Sequence, residues 1–364
     1  MIKQVIIRGF KCFFNETIDF KPLTVITGPN SSGKSSLIQA ILINLSRINH
    51  INPSSELELY LQNLGGFIDL KNKTQNPSSY EIDICFITND CIKYIRDLHI
   101  SKVDVIYNSN DTSLHTMEYL RNIINVHYLS ANRAPIKDFA PENTSSEIQN
   151  CGIYGQFIEQ YYYLNKTEVI AEELRHKSVY NGNTLEAHVY YWLSYICDIK
   201  DLSLDVERLP ANRYRTYYKL GTQEYTPQNL GSGVSYLIAI LTHALLMHKQ
   251  KDVFIIENPE IHLHPLSQAR LGEFFAFVAN TGRQIIIETH SEHLISKLRY
   301  CVYKDVLQST DVIIHYRTTN QRFEKIEILE NGKILNEDNE HCFPFGFFDA
   351  TLDDIFEINS NAKS

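Results

Sequence analysis

Gly28-Pro29-Asn30-Ser31-Ser32-Gly33-Lys34-Ser35 is spaced as G-x-x-x-x-G-K-S, the pattern of a phosphate-binding loop. The apolar run 23–27 stands before it and has the character of a buried strand. After it, apolar residues fall at Leu37, Ile38, Ile41, Leu42, Leu45 and Ile48, the spacing of a helix face. Strand, glycine loop and helix therefore follow in the order the motif needs. A glycine-rich turn lets successive backbone N–H groups converge on one centre, and the helix N-terminus adds partial positive charge. A polyphosphate fits such a centre. Amides of Asn30, Ser31, Ser32, Gly33, Lys34, Ser35 and Ser36 would line it. The Lys34 ammonium would reach the β- and γ-phosphates, and the Ser35 hydroxyl would hold Mg²⁺. A turn without a ligand is the plainer reading, but the motif is complete and correctly flanked.

Upstream, residues 2–27 alternate. Val5, Ile6 and Ile7, then Phe10, Phe13 and Phe14, then Ile18 and Phe20 give the pattern of antiparallel strands leading into the loop. Arg8, Phe10, Lys11 and Phe13 could pack on a nucleotide base, and a core face beside a solvated face explains them equally well.

Downstream, Gln62-Asn63-Leu64-Gly65-Gly66 contains two glycines, which break a helix. Strands are expected at about 80–88 and 93–100, residues 101–125 are polar and irregular, and 126–129 is a short strand before Ser130-Ala131-Asn132-Arg133. From 136 to 200 the pattern is helical and rich in tyrosine. Leu185, His188, Val189, Trp192, Leu193 and Ile196 share one face of a packed helix. Residues 203–220 read as a hairpin that mixes Arg208, Arg213, Arg215 and Lys219 with Tyr214, Tyr217 and Tyr218. Such interleaving can stack on and neutralise nucleic acid; an ordinary half-exposed strand pair gives the same pattern.

Leu230-Gly231-Ser232-Gly233 precedes a helix running to Met247. Ser232 suits an N-cap, and the glycines let a ligand approach the helix end. Residues 253–257 read as a buried parallel strand ending in a carboxylate, where a P-loop NTPase holds Mg²⁺. Asn258-Pro259-Glu260, a helix over 266–279, a second buried strand at 284–287 and Glu288-Thr289-His290-Ser291 follow. Strand-like runs at 312–316 and 323–329 precede a phenylalanine-rich tail. His262, His264, His290 and His293 fall on different elements, which argues against a zinc site. Asp349, Asp353 and Asp354 read as a solvated end rather than a nuclease cluster.

The 364 residues, 43% of them hydrophobic, suffice for one large domain or a domain carrying an insertion. Net charge is −9, from 34 basic and 43 acidic residues, opposite to the balance of a protein living mainly on DNA. Any nucleic-acid contact would come from a local patch or a partner. The seven cysteines include no C-x-x-C pair and read as reduced thiols of a cytoplasmic protein without disulfides. The chain opens on a strand-like run rather than a signal peptide. The longest apolar stretch, 234–247, is interrupted by Ser235, Thr242 and His243 and is too short to cross a bilayer.

With these elements in order, residues 1 to about 300 resemble the ABC-type ATPase heads of the RecF, SMC and OLD-like group. More narrowly, IENPEIHLHP at 256–265, IIIETHSEH at 285–293 and FPFGFFD at 343–349 look like a bacterial AAA-type ATPase family. Relatives in the wider group occur as ATPase subunits in phage-defence operons and beside nucleases. The resemblance implies an α/β P-loop NTPase of ABC-head type, with a mixed sheet core, N-terminal antiparallel strands and an inserted helical lobe. It implies division into 1–100 with the P-loop, a lobe at 101–202, the rest of the head at 203–330, and a family-specific segment at 331–364.

The resemblance further implies a homodimer with ATP sandwiched between the P-loop of one copy and Leu230–Gly233 of the other. Gly231, Ser232 and Gly233 would grip the γ-phosphate across that interface, Gln62 would face metal or water, and His290 would sense the γ-phosphate. Ser35 and Glu257 would hold Mg²⁺. Such heads usually end this strand with two acids; here the pair is Glu257-Asn258, and an amide cannot act as general base. Glu260 and Glu288 are the substitutes, and hydrolysis is expected to be slow. The function expected is a Mg²⁺-dependent ATPase regulating a separate, nuclease-like effector. The alternative is a DNA-binding repair or recombination ATPase of RecF type. A small-molecule kinase leaves the Gly-Ser-Gly and Thr-His stretches without a role.

Overall fold

The computed structural model describes residues 1–48, 56–88, 90–106, 125–143, 150–180, 182–318, 322–338, 340, 343 and 347. Asp349, Asp353 and Asp354 and most of the expected irregular stretch at 101–125 lie outside them.

The chain opens with an antiparallel hairpin, β1 (Ile2–Phe10) and β2 (Phe13–Asp19), then enters β3 (Leu23–Thr27). The P-loop follows, then α1 (Lys34–Ile48), α2 (Glu56–Asn63) and a single turn, α3 (Phe67–Leu70). Strands β4 (Ser79–Phe86), β5 (Cys91–Asp97) and β6 (Ser101–Ile106) extend the first hairpin into a five-stranded antiparallel sheet ordered β2-β1-β4-β5-β6. Next come β7 (Asn125–Leu129), β8 (Phe139–Pro141), α4 (Ile158–Asn165) and α5 (Leu185–Cys197). Strands β9 (Leu202–Leu209), β10 (Arg213–Leu220) and β11 (Gln223–Tyr225) form a small sheet with β8. The remainder is α6 (Ser232–Leu246), β12 (Asp252–Glu257), α7 (Pro265–Ala279), β13 (Gln284–Glu288), α8 (Glu292–Tyr303), β14 (Val312–Arg317), β15 (Phe323–Ile328) and β16 (Ile334–Leu335).

The central sheet runs β16-β15-β14-β3-β13-β12-β7, with β14, β3, β13, β12 and β7 parallel. Residues of β3, β12, β13 and β14 are buried throughout, as expected of parallel strands covered on both faces. That explains why they appear in the sequence as continuous apolar runs rather than alternating ones. Side chains of one parity, such as Ile26, Ile255 and Ile286, join a core with the N-terminal sheet and α1. Those of the other, such as Val25, Ile256 and Ile287, join a core with α5 to α8. The architecture is the expected α/β head with N-terminal antiparallel strands and a mixed core sheet. Among the described residues no helix is long and apolar enough to cross a membrane.

Several local expectations change. Residues 101–106 form a strand, because Lys93↔Asp104 and Ile95↔Lys102 pair along the edge of β5, where polar side chains face water. Among the described residues of the tyrosine-rich stretch, 158–165 and 185–197 are α-helical. The segment 101–202 contributes β6 to the N-terminal sheet, β7 to the central sheet and two helices to a shared core. Cys85 and Cys91 stand opposite each other in the β4–β5 register and are disulfide-bonded, which overturns the expectation of free thiols only. The N-cap position of α6 belongs to Gly231 rather than Ser232. Near the tail, Phe343 and Phe347 pack on Tyr316 of β14, with ring centroids 5.8 and 6.1 Å away.

Candidate nucleotide site

The loop leaves β3 at the C-terminal edge of the central sheet and re-enters regular structure at Lys34, the first residue of α1. Gly28 has φ 136°, and a Cβ there would fall 2.5 Å from the Arg317 carbonyl oxygen, so the position requires glycine. Gly33, at φ 108°, packs against the Cys12 thiol. Ser31 is also left-handed, at φ 60°. Beneath the loop, the fully buried Arg317 donates from Nε to Ser32 O at 3.1 Å and pairs with Glu16 at 3.3 Å. Its guanidinium lies between the rings of Phe13 and Phe323, 4.8 and 4.7 Å from their centroids.

Lys34 is 4% exposed and folds onto its own loop, donating to Gly28 O at 3.0 Å and Pro29 O at 2.7 Å. Burial lowers its pKa, and Glu288, 4.0 Å away, acts in the opposite direction. Residues 30–36 line an open cleft of about 400 Å³ with Asn258, Glu288 and His290. That volume lies in the range of small-ligand sites.

The acidic side of the cleft comes from strand register. On parallel β12 and β13, Glu257 stands directly opposite Glu288. The Ser35 hydroxyl donates to both Glu288 oxygens, at 3.3 and 3.4 Å. Glu257 Oε2 accepts from Ala131 N at 3.3 Å, and Glu260 Oε1 accepts from His290 N at 2.8 Å. Among the described residues, Glu257 Oε1 and Glu260 Oε2 are buried without a hydrogen-bond partner. Tyr128 lies close enough to favour the ionised form of Glu257, without the geometry of a full hydrogen bond. Burial, more strongly than these contacts act, pushes the Glu257 carboxyl up. Buried carboxylate oxygens and a serine hydroxyl are hard donors that suit Mg²⁺. Ser35 and Glu257 would hold it, with Glu288 beside them.

Burial first, then the charge of Glu257, raise the Glu288 carboxyl to about 7, against the pull of Lys34 and Ser35. The sign of the pH effect follows. Between about pH 4.5 and 7 the folded protein keeps a proton that the unfolded chain has released, so stability falls as pH rises through that window. Glu288→Gln is therefore expected to stabilise the nucleotide-free protein by about 3 kcal/mol near pH 8 and by little near pH 4. Urea unfolding at the two pH values measures this; a gain independent of pH contradicts it.

His290 is exposed on the cleft rim, and burial of its surroundings followed by Lys34 lowers its pKa. Gln62 is not brought in: it is exposed on α2 and donates to Glu58 at 3.4 Å, because that helix turns its far face to solvent. Gly231 and Gly233 do not line the cleft of their own chain. A Cβ on Gly233 would overlap the His262 carbonyl oxygen. His262 stacks on Tyr236, His264 caps α7, and His293 lines an adjoining cleft with Tyr316 and Phe347. Three of the four basic residues of 203–220 are matched by acids, Arg208 with Glu142, Arg215 with Glu207, and Lys219 with Asp205, and Arg213 is exposed.

Sequence reasoning missed Arg133, Tyr128 and Arg317. Arg133 had a usable signal, an arginine just past a strand that ends at the ligand edge of a parallel sheet. A charge closing the apolar run 312–316 was the signal for Arg317.

A family model described as "AAA domain" matches residues 4–201, and another, described as "AAA domain, putative AbiEii toxin, Type IV TA system", matches residues 171–296. No curated protein matches the chain. Among solved structures it is similar to the SMC head bound to the C-terminal winged-helix domain of ScpA. The TM-score is 0.53 at 14% identity, over 90% of this chain and 97% of that one. An SMC head domain from Thermotoga maritima matches at TM-score 0.46 and 14% identity, over 86% of this chain and 94% of that one. An Smc head with an extended coiled coil, bound to a ScpA domain derived from Pyrococcus furiosus, matches at 0.48 and 13%, over 100% and 99%. The first likeness shows the fold alone. The match over residues 4–201 takes in more than half of the sequence, P-loop included, so the chain belongs to the AAA domain family of ATP-binding ATPases, here on an SMC-head-like fold.

Proposed function

We propose that this protein is a slow, Mg²⁺-dependent ATPase that closes into a homodimer around nucleotide and thereby regulates a separate effector protein. The observation that carries the reading is the in-register pair Glu257↔Glu288, set against Lys34 and Ser35 of the P-loop. Amides of residues 30–36 bind phosphate oxygens, and Lys34 swings from the Gly28 and Pro29 carbonyls to the β- and γ-phosphates. When bound, Mg²⁺ neutralises charge on those phosphates. Asn258 cannot take a proton from water. Glu288, held near 7, has the proton affinity of an effective general base at neutral pH. Glu260, with an unpartnered oxygen and a hydrogen bond to the His290 amide, is the second candidate. His290 reports γ-phosphate occupancy from the rim.

Gly231, Ser232 and Gly233, away from their own cleft, complete the site of a second copy, and two-fold symmetry makes two equivalent sites. The description of the family matched over 171–296 supports an output in a toxin or defence setting. The ion pairs across 203–220 count against a DNA-binding role for that patch.

The test is sedimentation and steady-state turnover of Glu288→Gln and Glu260→Gln with ATP and Mg²⁺. At least one variant is expected to lose about 100-fold or more in turnover and to accumulate as an ATP-bound dimer. Wild-type turnover in both, or a monomer under every nucleotide condition, refutes the reading.

A further inference from the structure

Arg133 has no part in the roles assigned above. It lies in the loop that follows β7, at the same sheet edge as the P-loop. Only 7% exposed, it donates to three main-chain carbonyls: Ser130 O at 3.1 Å, Glu257 O at 2.6 Å and Asn258 O at 2.6 Å. The chain turns sharply there, since Asn258 is left-handed at φ 45° while its N–H still donates to Glu288 O at 2.7 Å. A planar guanidinium can span the carbonyls of consecutive residues; an ammonium cannot match that fork.

The guanidinium charge faces Glu260 and Glu257, yet its hydrogen bonds among the described residues go to main chain. It therefore compensates the carboxylates without occupying their lone pairs, and Glu257 Oε1 and Glu260 Oε2 stay open. It also lies 5.9 Å from the Tyr236 ring. Tyr236 opens the second turn of α6, three residues after Gly233, and stacks on His262 at 5.3 Å with the rings 16° apart.

We propose that Arg133 is a positioning residue of the ATPase site: it fixes the Glu257–Asn258 corner through the main chain and ties that corner, through Tyr236, to the N-terminal end of α6. A contact made at Gly231–Gly233 is thereby felt at the carboxylates of the same chain. The inference rests on the ATPase reading and deepens it.

The test compares Arg133→Ala and Arg133→Lys with wild type. It measures kcat, KM, thermal unfolding, and ATP affinity in EDTA by calorimetry. Arg133→Ala is expected to lose about 10- to 100-fold in kcat, the range for partners that hold ligating carboxylates, with KM and the EDTA affinity nearly unchanged. Added guanidinium ion is expected to restore much of the loss, and Arg133→Lys to fall between. Wild-type kcat in Arg133→Ala, an equal loss of ATP affinity in EDTA, or no rescue by guanidinium overturns the proposal. If Arg133→Ala does not fold, Arg133→Lys decides: reduced kcat at constant KM supports the proposal, and unchanged kcat overturns it. A wild-type protein that turns over no ATP removes the ATPase reading itself; a wild-type enzyme with indifferent Arg133 variants removes only this inference.

Discussion

Lys34→Ala is expected to weaken ATP binding by at least about 100-fold, measured by calorimetry at fixed Mg²⁺. Lys34 is the buried cation closest to the cleft, and its two present acceptors are loop carbonyls at 3.0 and 2.7 Å. Those are weak partners compared with phosphate oxygens. A charge-assisted hydrogen bond contributes roughly 1.5–3 kcal/mol, so losing two contacts to the β- and γ-phosphates costs a hundredfold or more. The substitution also removes the attraction of the Lys34 ammonium for Glu288, leaving burial and like charge opposed by Ser35. The cleft then becomes neutral to acidic where it has to receive a polyanion. Wild-type affinity in Lys34→Ala would mean that the phosphates bind elsewhere.

Arg317→Met is expected to destabilise the fold by about 3–5 kcal/mol, the cost of stripping one partner from a buried ion pair. Met preserves much of the packing between Phe13 and Phe323, so the loss isolates charge and hydrogen bonding rather than volume. Glu16 is left beside an apolar side chain, and Ser32 O loses its donor. Because that carbonyl belongs to the P-loop, ATP affinity falls together with stability. Denaturant unfolding decides the matter: a variant within about 1 kcal/mol of wild type shows that solvent already satisfies both groups.

The P-loop and both acidic strand ends were legible because local rules specify them. Gly28 and Gly33 stand where left-handed backbone is needed, and the runs ending at Glu257 and Glu288 are too continuously apolar for anything but covered strands. What escaped depends on partners distant in sequence. Glu288 was weighed as a base, but its contact with Ser35 follows from a register that only the assembled sheet defines. Arg133 reaches main-chain atoms more than 120 residues away, and main-chain acceptors leave no mark on residue identity. Gln62 lies outside the cleft for a different reason: its angular position on α2 turns it outward. The Cys85–Cys91 bond was missed because spacing alone does not reveal that a hairpin places the two side by side.

The placement of β3 between β13 and β14 has a consequence for biosynthesis. A ribosome delivers the P-loop well before either neighbour of its strand and before the arginine that braces the loop. Until residue 317 has emerged, the nascent chain carries a nucleotide motif without a nucleotide pocket. Assembly of the nucleotide pocket therefore waits on β13 and β14, whatever order the rest of the chain folds in.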